Sequence, residues 1–317
     1  MKWTLKHQIA LTALLAILVA GLSFLAFFYR PGIQEPIVEV KTTPPQKEEF
    51  NPAYAHFVAP DLFDKNHILA YYGHPKSKIM GIVGRHSKEE LAKKLKAKAE
   101  IFKKISGEKG VIPALYLIYA TCQPKGEVLR MKPEMVESYI KFSLENGFLV
   151  YLDHQIGKHK PETAFKDLLP FLKYPNVHLA IDVEWRTDKP MKKIGYITAF
   201  ELNKLQEMMR DYMAEHKIPG KRQLVFHQFK PQMVVNIERV RASYDPVILI
   251  HATSGWGPPS LKKSTHAKNA KVSNIPNKAF KLWYYFSDKK GVHYDHPLMS
   301  PEQVLALTPQ PSLIIYQ

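Results

Sequence analysis

The chain has 317 residues, of which 45% are hydrophobic and 23% are charged, and its formal net charge is +16. This composition supplies enough apolar material for a packed core and excludes a chain that is disordered throughout. The length suits one large domain with an additional segment, because barrel domains often exceed the average domain length. The single cysteine, Cys122, excludes an intrachain disulfide and an N-terminal lipid attachment through cysteine.

The first predicted element is an apolar segment from Ile9 to Tyr29 that contains no charged side chain. At about 1.5 Å per residue, a helix of this length crosses a hydrocarbon core of roughly 30 Å. Lys2 and Lys6 precede the segment, so the positive-inside rule keeps the N-terminus in the cytoplasm. We therefore predict a signal anchor over residues 1–30 that attaches an extracytoplasmic domain to the cell membrane as a single-pass protein. A signal peptide cleaved near Val19-Ala-Gly21 is the alternative, and it would release a secreted protein.

The basic charge narrows the choice of partners. A surface of this charge attracts nucleic acid, anionic lipid and acidic polymers alike. A domain outside the membrane does not meet nucleic acid, and no nucleic-acid-binding module is visible in the sequence. A dense lysine run from Lys76 to Lys98 would instead hold the domain near anionic lipid or an anionic envelope polymer. We expect the membrane and an envelope carbohydrate or polymer as partners, and no nucleic acid.

Residues 31–66 are predicted to be a linker, because prolines recur in them at short intervals. Their first part, to about Glu49, is typical of an extended, solvated stalk. Aromatic side chains then return, so we expect the end of the linker to lie against the following domain. These side chains are Phe50, Tyr54, Phe57 and Phe63.

From residue 67 onward, strand-like and helix-like segments alternate. Eight short segments rich in β-branched and aromatic residues predict strands at His67–Tyr72, Val111–Thr121, Phe148–Asp153, Val177–Glu184, Gln223–Phe229, Val247–Ala252, Ala279–Phe286 and Ser312–Tyr316. Helical patterns lie between them at Ser87–Ile105, Lys132–Asn146, Glu162–Leu172, Thr198–His216, Met233–Ala242 and Pro301–Leu307. The strands are nearly continuous apolar runs, which is typical of strands covered on both faces. The pattern predicts a single (β/α)₈ TIM-like barrel over residues 67–317.

Local signals support some of these helices better than others. Ser87 with Glu90, and Thr198 with Glu201, have the spacing of a capping box. Gly147 follows the second helix where a left-handed C-cap is expected. The segment from residue 258 to residue 276 has little apolar periodicity, so it is predicted as either a helix or a long loop.

A doubly wound open sheet is the alternative fold, but no glycine-rich phosphate loop follows any predicted strand.

In a barrel, the C-terminal ends of the strands build the active face. Ionisable side chains gather at the predicted strand ends, although the strand bodies are apolar. Asp182 and Glu184 end the fourth strand two positions apart, so we expect them on one face, about 7 Å from each other. Asp153 ends the third strand. Further candidates for contact with a substrate are Tyr72, Gln155, Trp185, Arg186, His227, Gln228 and His251.

Two carboxyl groups in unequal environments are what glycoside cleavage requires. Glu184, which is the longer side chain and lies next to Trp185, is the predicted general acid. Asp182 is the predicted ionised partner, and Asp153 could take its place. Trp185 and Tyr72 could stack on sugar rings, while His227 and similar groups could bind hydroxyls. We therefore predict a glycoside-hydrolase-like barrel that acts on a cell-envelope carbohydrate.

Two other hypotheses use the same residues. The barrel could bind an envelope polymer or sugar without cleaving it. In that case the strand-end aspartates could have a purely structural role, for example by pairing with an arginine such as Arg186. A metal-dependent hydrolase could use His227, His251, Asp182 and Asp153 as ligands. However, the first strand has no His-x-His pair and no helix has a His-x-x-x-His motif. We therefore assign no metal ligand and no cofactor.

Several short segments carry a resemblance to other proteins. They are Tyr71-Tyr-Gly-His-Pro75, Pro113-Ala-Leu115, Leu152-Asp-x-Gln155, Ile181-Asp-Val-Glu-Trp-Arg186, Val225-Phe-His-Gln-Phe229, the Met299–Leu307 helix and Tyr316-Gln317. Together they resemble a group of uncharacterised bacterial exported proteins, over roughly residues 66–317. That resemblance implies an exported single barrel behind a signal or lipid anchor and a proline-rich spacer, although this chain has no N-terminal cysteine.

The Asp182-x-Glu184 tripeptide is similar to the Asp-x-Glu of the lysozyme-type muramidases of glycoside hydrolase family twenty-five. This resemblance implies carboxylate catalysis on a cell-wall glycan. The first-strand aspartate typical of those enzymes is missing, because the corresponding strand reads Leu69-Ala-Tyr-Tyr-Gly73.

Overall fold

A computed structural model describes residues 51–288 and 293–317 of the chain. The predicted anchor, with its span over residues 9–29, and most of the predicted linker lie outside these residues. Within the described part, no helix has both the length and the apolar character needed to cross a membrane.

The described residues form eleven strands and six α-helices. The strands are β1 (Asn66–Gly73), β2 (Gly110–Cys122), β3 (Val128–Arg130), β4 (Leu149–Gln155), β5 (Val177–Asp182), β6 (Ile197–Thr198), β7 (Arg222–Gln228), β8 (Val234–Val235), β9 (Val247–Thr253), β10 (Lys278–Leu282) and β11 (Leu313–Tyr316). The helices are α1 (Lys88–Lys103), α2 (Pro133–Glu145), α3 (Pro161–Lys166), α4 (Ala199–Glu215), α5 (Pro259–Ala270) and α6 (Pro301–Leu305).

Eight parallel strands close into a barrel, which confirms the predicted fold of the domain. Their order is β1-β2-β4-β5-β7-β9-β10-β11, and β11 pairs again with β1. Tyr72 of β1 lies opposite Tyr116 of β2, and Tyr71 lies opposite Tyr316 of β11. Strand β3 adds an antiparallel hairpin to the end of β2. The helices cover the outside of the barrel, so both faces of each barrel strand are buried.

The local helix signals match the structure. Both capping boxes are present, with the Ser87 and Thr198 side chains accepting hydrogen bonds from the amides of Glu90 and Glu201. Gly147, just past the end of α2, has a φ of 72°. This left-handed conformation is one that residues with a Cβ adopt at a cost, so glycine is favoured at this position.

The segment with little apolar periodicity forms α5 (Pro259–Ala270). The residues that this helix buries against the barrel are polar: Lys262, His266 and Asn269. Their polar atoms have partners, because Asn269 donates to the Thr253 hydroxyl and His266 contacts the Pro309 carbonyl. A buried helix face made of polar residues gives no hydrophobic stripe, so periodicity cannot reveal it.

The helix predicted over Met233–Ala242 is wrong. Val234 and Val235 instead form β8, which pairs in parallel with β6. Asn236 follows with a φ of 56°, and only a short 3₁₀ turn, Ile237–Arg239, comes after it. The left-handed residue and the strand pairing stop a helix from running through this segment.

The aromatic end of the predicted linker packs against the barrel. Residues Pro52–Val58 form a 3₁₀ helix, and Phe57 is 1% exposed. Phe57 joins the cluster that fills the barrel interior, together with Ile68 and Leu313 from the N-terminal ends of their strands. Val58 contacts Gly220 in the loop before β7. The N-terminal end of the barrel is thus covered by this segment.

We predict that Phe57→Ala lowers the free energy of unfolding by about 3–5 kcal/mol, because it removes a large buried side chain from the barrel interior. Denaturant unfolding of the two proteins measures the difference. Tyr54→Ala, at a half-buried neighbour in the same 3₁₀ helix, should cost clearly less. Equal losses from the two changes would mean that Phe57 does not anchor the segment.

Candidate active site

Six polar side chains point into the barrel, five of them near the C-terminal ends of their strands and Tyr116 in the middle of β2. Each lies two positions after an apolar residue of the interior cluster, such as Ala180, Val225 or Ala279, and therefore faces the same way. The six side chains are Tyr72, Tyr116, Asp153, Asp182, His227 and Lys281. We call this set, together with Glu184, the mouth of the barrel. The mouth contains all three acids predicted as catalytic.

The path of the chain after β5 differs from the predicted strand Val177–Glu184. Strand β5 ends at Asp182, and residues Val183–Trp185 form a 3₁₀ turn. The turn is fixed by the amide of Gly195, which donates to the Glu184 carbonyl at 2.7 Å. A Cβ on Gly195 would lie 2.4 Å from the Val183 carbonyl oxygen, so only glycine allows this approach. As a result, Glu184 belongs to the rim and Asp182 to the strand end below it.

Asp182 and Glu184 have different electrostatic environments. Burial raises the pKa of Asp182 to about 6, although Lys281, the Glu184 amide and the Trp185 side chain all stabilise the carboxylate. Burial and the neighbouring Asp182 raise the pKa of Glu184 to about 7. Asp182 is nearly inaccessible, whereas Glu184 is partly exposed. Near neutral pH, the inner carboxyl group therefore ionises before the outer one.

Asp153 lies deepest and is 0% exposed. Its Oδ2 accepts a hydrogen bond from the Tyr72 hydroxyl at 2.9 Å and lies 3.6 Å from Nε2 of His227. The same Nε2 lies 2.9 Å from the Tyr116 hydroxyl. Burial, followed by repulsion from Asp182, raises the pKa of Asp153 to about 8. Burial lowers the pKa of His227 well below its usual value, so this network is uncharged near neutral pH.

Lys281 is the mouth residue that the sequence analysis missed. It is 3% exposed, and its Nζ lies 3.4 Å from the ring centroid of Tyr72 and 4.8 Å from that of Trp283. Burial lowers the pKa of Lys281 to about 8, against the opposing effect of Asp182, Asp153 and Glu184. Alternation within the strand was the available signal, because Lys281 comes two positions after Ala279. The predicted strand ended at Phe286, four residues beyond the end of β10 at Leu282, so Lys281 was not recognised as a strand-end residue.

Four of the predicted contact residues lie elsewhere. The Gln155 side chain accepts a hydrogen bond from the Cys122 amide and ties β4 to β2. Arg186 makes a two-point ion pair with Glu201 of α4, at 2.8 and 2.9 Å.

Gln228 and His251 face the helices outside the barrel. They contact each other at 2.6 Å, and the ring of His251 stacks on Phe226. They follow and precede inward-facing residues, so strand alternation turns them away from the mouth.

Three tryptophans lie just beyond strand ends at the same edge of the barrel. Trp185 follows β5, Trp256 follows β9 and Trp283 follows β10. Trp256 is exposed and its ring stacks on His293, whereas Trp185 and Trp283 are partly buried. The Trp283 indole donates to the Ser254 carbonyl, which fixes its ring beside Lys281. The mouth therefore has an aromatic rim.

A buried ion pair holds the loops that carry this rim. Lys262 of α5 lies 3.0 Å from Asp295 and also donates to the carbonyls of Gly255 and Lys281. Asp295 in turn accepts from the amides of Gly257 and Trp283. Because both charges have several partners, the pair can stay buried.

Other parts of the described structure offer less for chemistry. Residues 51–288 and 293–317 contain no group of three His, Cys, Asp or Glu side chains able to hold a metal ion. A groove of about 400 Å³ lies outside the barrel between α1 and the loop after β10. Its polar lining includes Lys94 and Lys98 but no acid, so acid–base chemistry belongs to the mouth and not to this groove.

No family model and no curated protein matches the chain. Among solved structures, it is similar to an oxaloacetate acetylhydrolase in complex with oxalate, at 11% identity and a TM-score of 0.49, covering 84% of this chain and 81% of that one. It is similar to a broad-specificity GH5-4 endoglucanase from Clostridum cellulovorans at 10% identity and a TM-score of 0.43, with 84% and 86% covered. A family 18 chitinase from Crocus vernus gives 8% identity and a TM-score of 0.44, with 79% and 92% covered. Similarities this weak do not bear on the reaction of this chain.

We predict that Asp153→Asn makes the stability of the protein less dependent on pH. The folded protein keeps the Asp153 proton up to about pH 8, whereas the unfolded chain loses it near the ordinary aspartate pKa of 3.8. Between these values the unfolded state binds fewer protons, so the free energy of unfolding falls as pH rises, by up to about 1.4 kcal/mol per pH unit for one proton. Asparagine removes this proton from both states.

Denaturant unfolding at several pH values between 4 and 8 measures this slope. The control is Asp188→Asn, an exposed position in the loop after β5, which should leave the slope unchanged. If Asp153→Asn retains the full slope of the parent protein, Asp153 does not hold a proton in the folded state.

Proposed function

We propose that this protein is a glycoside hydrolase that cleaves a carbohydrate at the cell envelope. The observation that carries the proposal is the pair of carboxyl groups, Asp182 and Glu184, with unequal environments: Asp182 is 5% exposed at the strand end, and Glu184 is partly exposed at the rim. In glycoside cleavage one carboxyl group must donate a proton while the other stays ionised. The remaining features of the mouth are compatible with these two roles.

Glu184 is the proposed general acid. Its partly exposed position on the 3₁₀ turn lets a glycosidic oxygen approach it, and its pKa of about 7 keeps much of it protonated near neutral pH. A general acid works best when its pKa lies near the working pH. The Glu184 backbone amide also serves the reaction, because it stabilises the neighbouring Asp182 carboxylate.

Asp182 is the proposed ionised partner, as a nucleophile, a base or an electrostatic stabiliser of positive charge on the sugar. The amide of Glu184, the Trp185 side chain and the positive charge of Lys281 all favour its carboxylate form. Asp153 suits this role less well, because it is fully buried and its pKa is about 8. We assign Asp153, with Tyr72 and His227, to the positioning of the groups above it.

The aromatic rim supports a carbohydrate as the substrate. Sugar rings present flat apolar faces that stack on indole rings, and the three tryptophans at the mouth provide such surfaces. Trp283 and Trp256 lie beyond the neighbouring strands β10 and β9, which are three and two strands away from β5 in the barrel. The proposed location at the envelope comes from the predicted anchor over residues 9–29 and from the basic composition, which suits an anionic surface polymer.

We predict that Glu184→Gln lowers the release of reducing ends from envelope glycans by roughly 10²–10⁴-fold, because it removes the general acid and keeps the side-chain size. The measurement is a reducing-end assay on the full-length protein with isolated envelope glycan. Asp188→Asn serves as the matched control, and it should retain the activity of the parent. Full activity of Glu184→Gln would refute the assignment of the acid.

A non-catalytic binding barrel is the competing function. It would use the same aromatic rim, and it predicts that the parent protein sediments with envelope glycan but releases no reducing ends. That outcome would replace the enzymatic proposal with the binding one.

We further predict that activity is greatest between about pH 6 and pH 7. Activity should fall below about pH 6 as Asp182 gains a proton, and above about pH 7 as Glu184 loses its proton. The positive charge of Lys281 lowers the pKa of both groups, so Lys281→Met should move both limbs of kcat/KM to higher pH.

Lys230 gives a control for this pH dependence. Lys230 is exposed, and it lowers the pKa of Glu184 but is not among the causes that act on Asp182. Lys230→Met should therefore move only the alkaline limb to higher pH. An acidic limb that stays in place in Lys281→Met would show that Lys281 does not act on Asp182.

A further inference from the structure

Three lysines of the described barrel are buried, and burial lowers the pKa of each to about 8. In two of them the amino group is occupied by the protein. Lys262 donates to two carbonyls and pairs with Asp295. Lys278 donates to the Val272 carbonyl and contacts Nδ1 of His251. These two lysines have a structural reason to be buried.

Lys281 has no such reason. Within residues 51–288 and 293–317, its Nζ makes no hydrogen bond, and no carboxylate oxygen lies within 4.0 Å of it. Its neighbours in space are the aromatic rings of Tyr72 and Trp283 and, farther away, Asp153, Asp182 and Glu184. The positive charge of Lys281 lowers the pKa of His227, and the positive charge of Lys262 lowers the pKa of Lys281. A largely buried lysine whose amino group is engaged by no hydrogen bond, and which faces aromatic rings and carboxyl groups at the mouth, indicates a functional role.

We propose that the amino group of Lys281 forms an imine with the carbonyl group of a hydroxylated aldehyde that enters the mouth. This activity depends on the geometry of the mouth and not on the cleavage of a glycosidic bond. Amine nucleophiles of this kind are found where a lysine is desolvated in an apolar pocket.

The step balances within the groups of the mouth. The lone pair of the neutral Lys281 amine attacks the carbonyl carbon, and the C–N bond forms as the carbonyl oxygen takes up a proton. The nitrogen loses a proton, giving a neutral carbinolamine. Glu184 donates a proton to the departing hydroxyl, and water leaves as the protonated imine forms. No oxidant or reductant is needed, because the carbon keeps its oxidation state.

The three carboxyl groups suit this product better than they suit an anionic ligand. The protonated imine carries a positive charge at the position of the Lys281 nitrogen. Asp182 is the group most readily ionised near neutral pH, and it stabilises positive charge at that nitrogen. An anionic ligand would instead be repelled by the Asp182 carboxylate. The polar groups of Tyr116 and Asp153 belong to the same mouth and can bind a hydroxyl group of the ligand.

Reductive trapping on the full-length protein tests the proposal. The probe is glycolaldehyde with cyanoborohydride, which converts an imine into a stable secondary amine, and peptide mass spectrometry locates the modified lysines. At pH 7, Lys281 should react at least roughly tenfold faster than the exposed Lys93, because burial lowers the pKa of Lys281 to about 8 and so leaves part of it as neutral amine. The rate at Lys281 should level off above about pH 8, where its amine is mostly neutral.

Lys262 and Lys278 are internal controls, because they share the lowered pKa but have occupied amino groups. They should stay unmodified while the protein is folded. The proposal is wrong if Lys281 reacts no faster than Lys93, or if Lys262 and Lys278 react as fast as Lys281. These comparisons use the unaltered protein, so they do not depend on the folding of a variant.

Two variants refine the result. Above about pH 8, where the Lys281 amine is mostly neutral in either protein, Asp182→Asn should slow trapping at Lys281 several-fold, because it removes the negative charge that stabilises the protonated imine. Glu184→Gln should slow it as well if Glu184 assists the loss of water. Trapping at Lys281 without release of reducing ends would support imine formation and refute glycoside cleavage, and the reverse outcome would do the opposite.

Discussion

The structure depends on one electrostatic constraint, which is that three carboxyl groups and one amino group share a mouth that burial keeps largely free of water. Burial disfavours each charged form. The four groups can therefore be accommodated only if some of the carboxyl groups keep a proton and the remaining charges have opposite signs. Asp182 ionises most readily because the positive charge of Lys281 and hydrogen bonds from the Glu184 amide and the Trp185 side chain favour its carboxylate form. Asp153 keeps a proton because it lies deepest, and Lys281 supplies the positive charge. The different behaviour of chemically similar acids follows from their depth and their neighbours.

The surrounding scaffold holds these groups through interactions outside the mouth. The ion pair of Arg186 with Glu201 connects the turn after β5 to helix α4, whose capping box uses the same glutamate. The ion pair of Lys262 with Asp295 connects α5 to the loop that carries Trp283. Each ion pair is therefore a positioning device. Charged residues next to a candidate site can serve its geometry without touching a ligand, as Arg186 does here.

Much of the fold could be predicted because its signals are local. The apolar strands and the capping boxes depend on residues close in sequence. Helix α5 was ambiguous because its buried face is polar, and its partners are distant in sequence. In the site, Asp153, Asp182, Tyr72 and His227 were predicted from strand ends. Gln228 and His251 were included because alternation within β7 and β9 was not followed. Lys281 was missed because the predicted strand continued to Phe286, whereas β10 ends at Leu282, so Lys281 was not recognised as a strand-end residue.

Because Phe57 covers the N-terminal end of the barrel, a ligand cannot pass through the barrel from one end to the other. Side chains fill the interior above it, including the stacked rings of Tyr116 and Tyr151, whose centroids lie 5.1 Å apart. Access to the buried acids is therefore confined to the C-terminal end of the barrel. A ligand or a proton would have to arrive and leave on that one side, past the rim that carries Glu184 and the tryptophans.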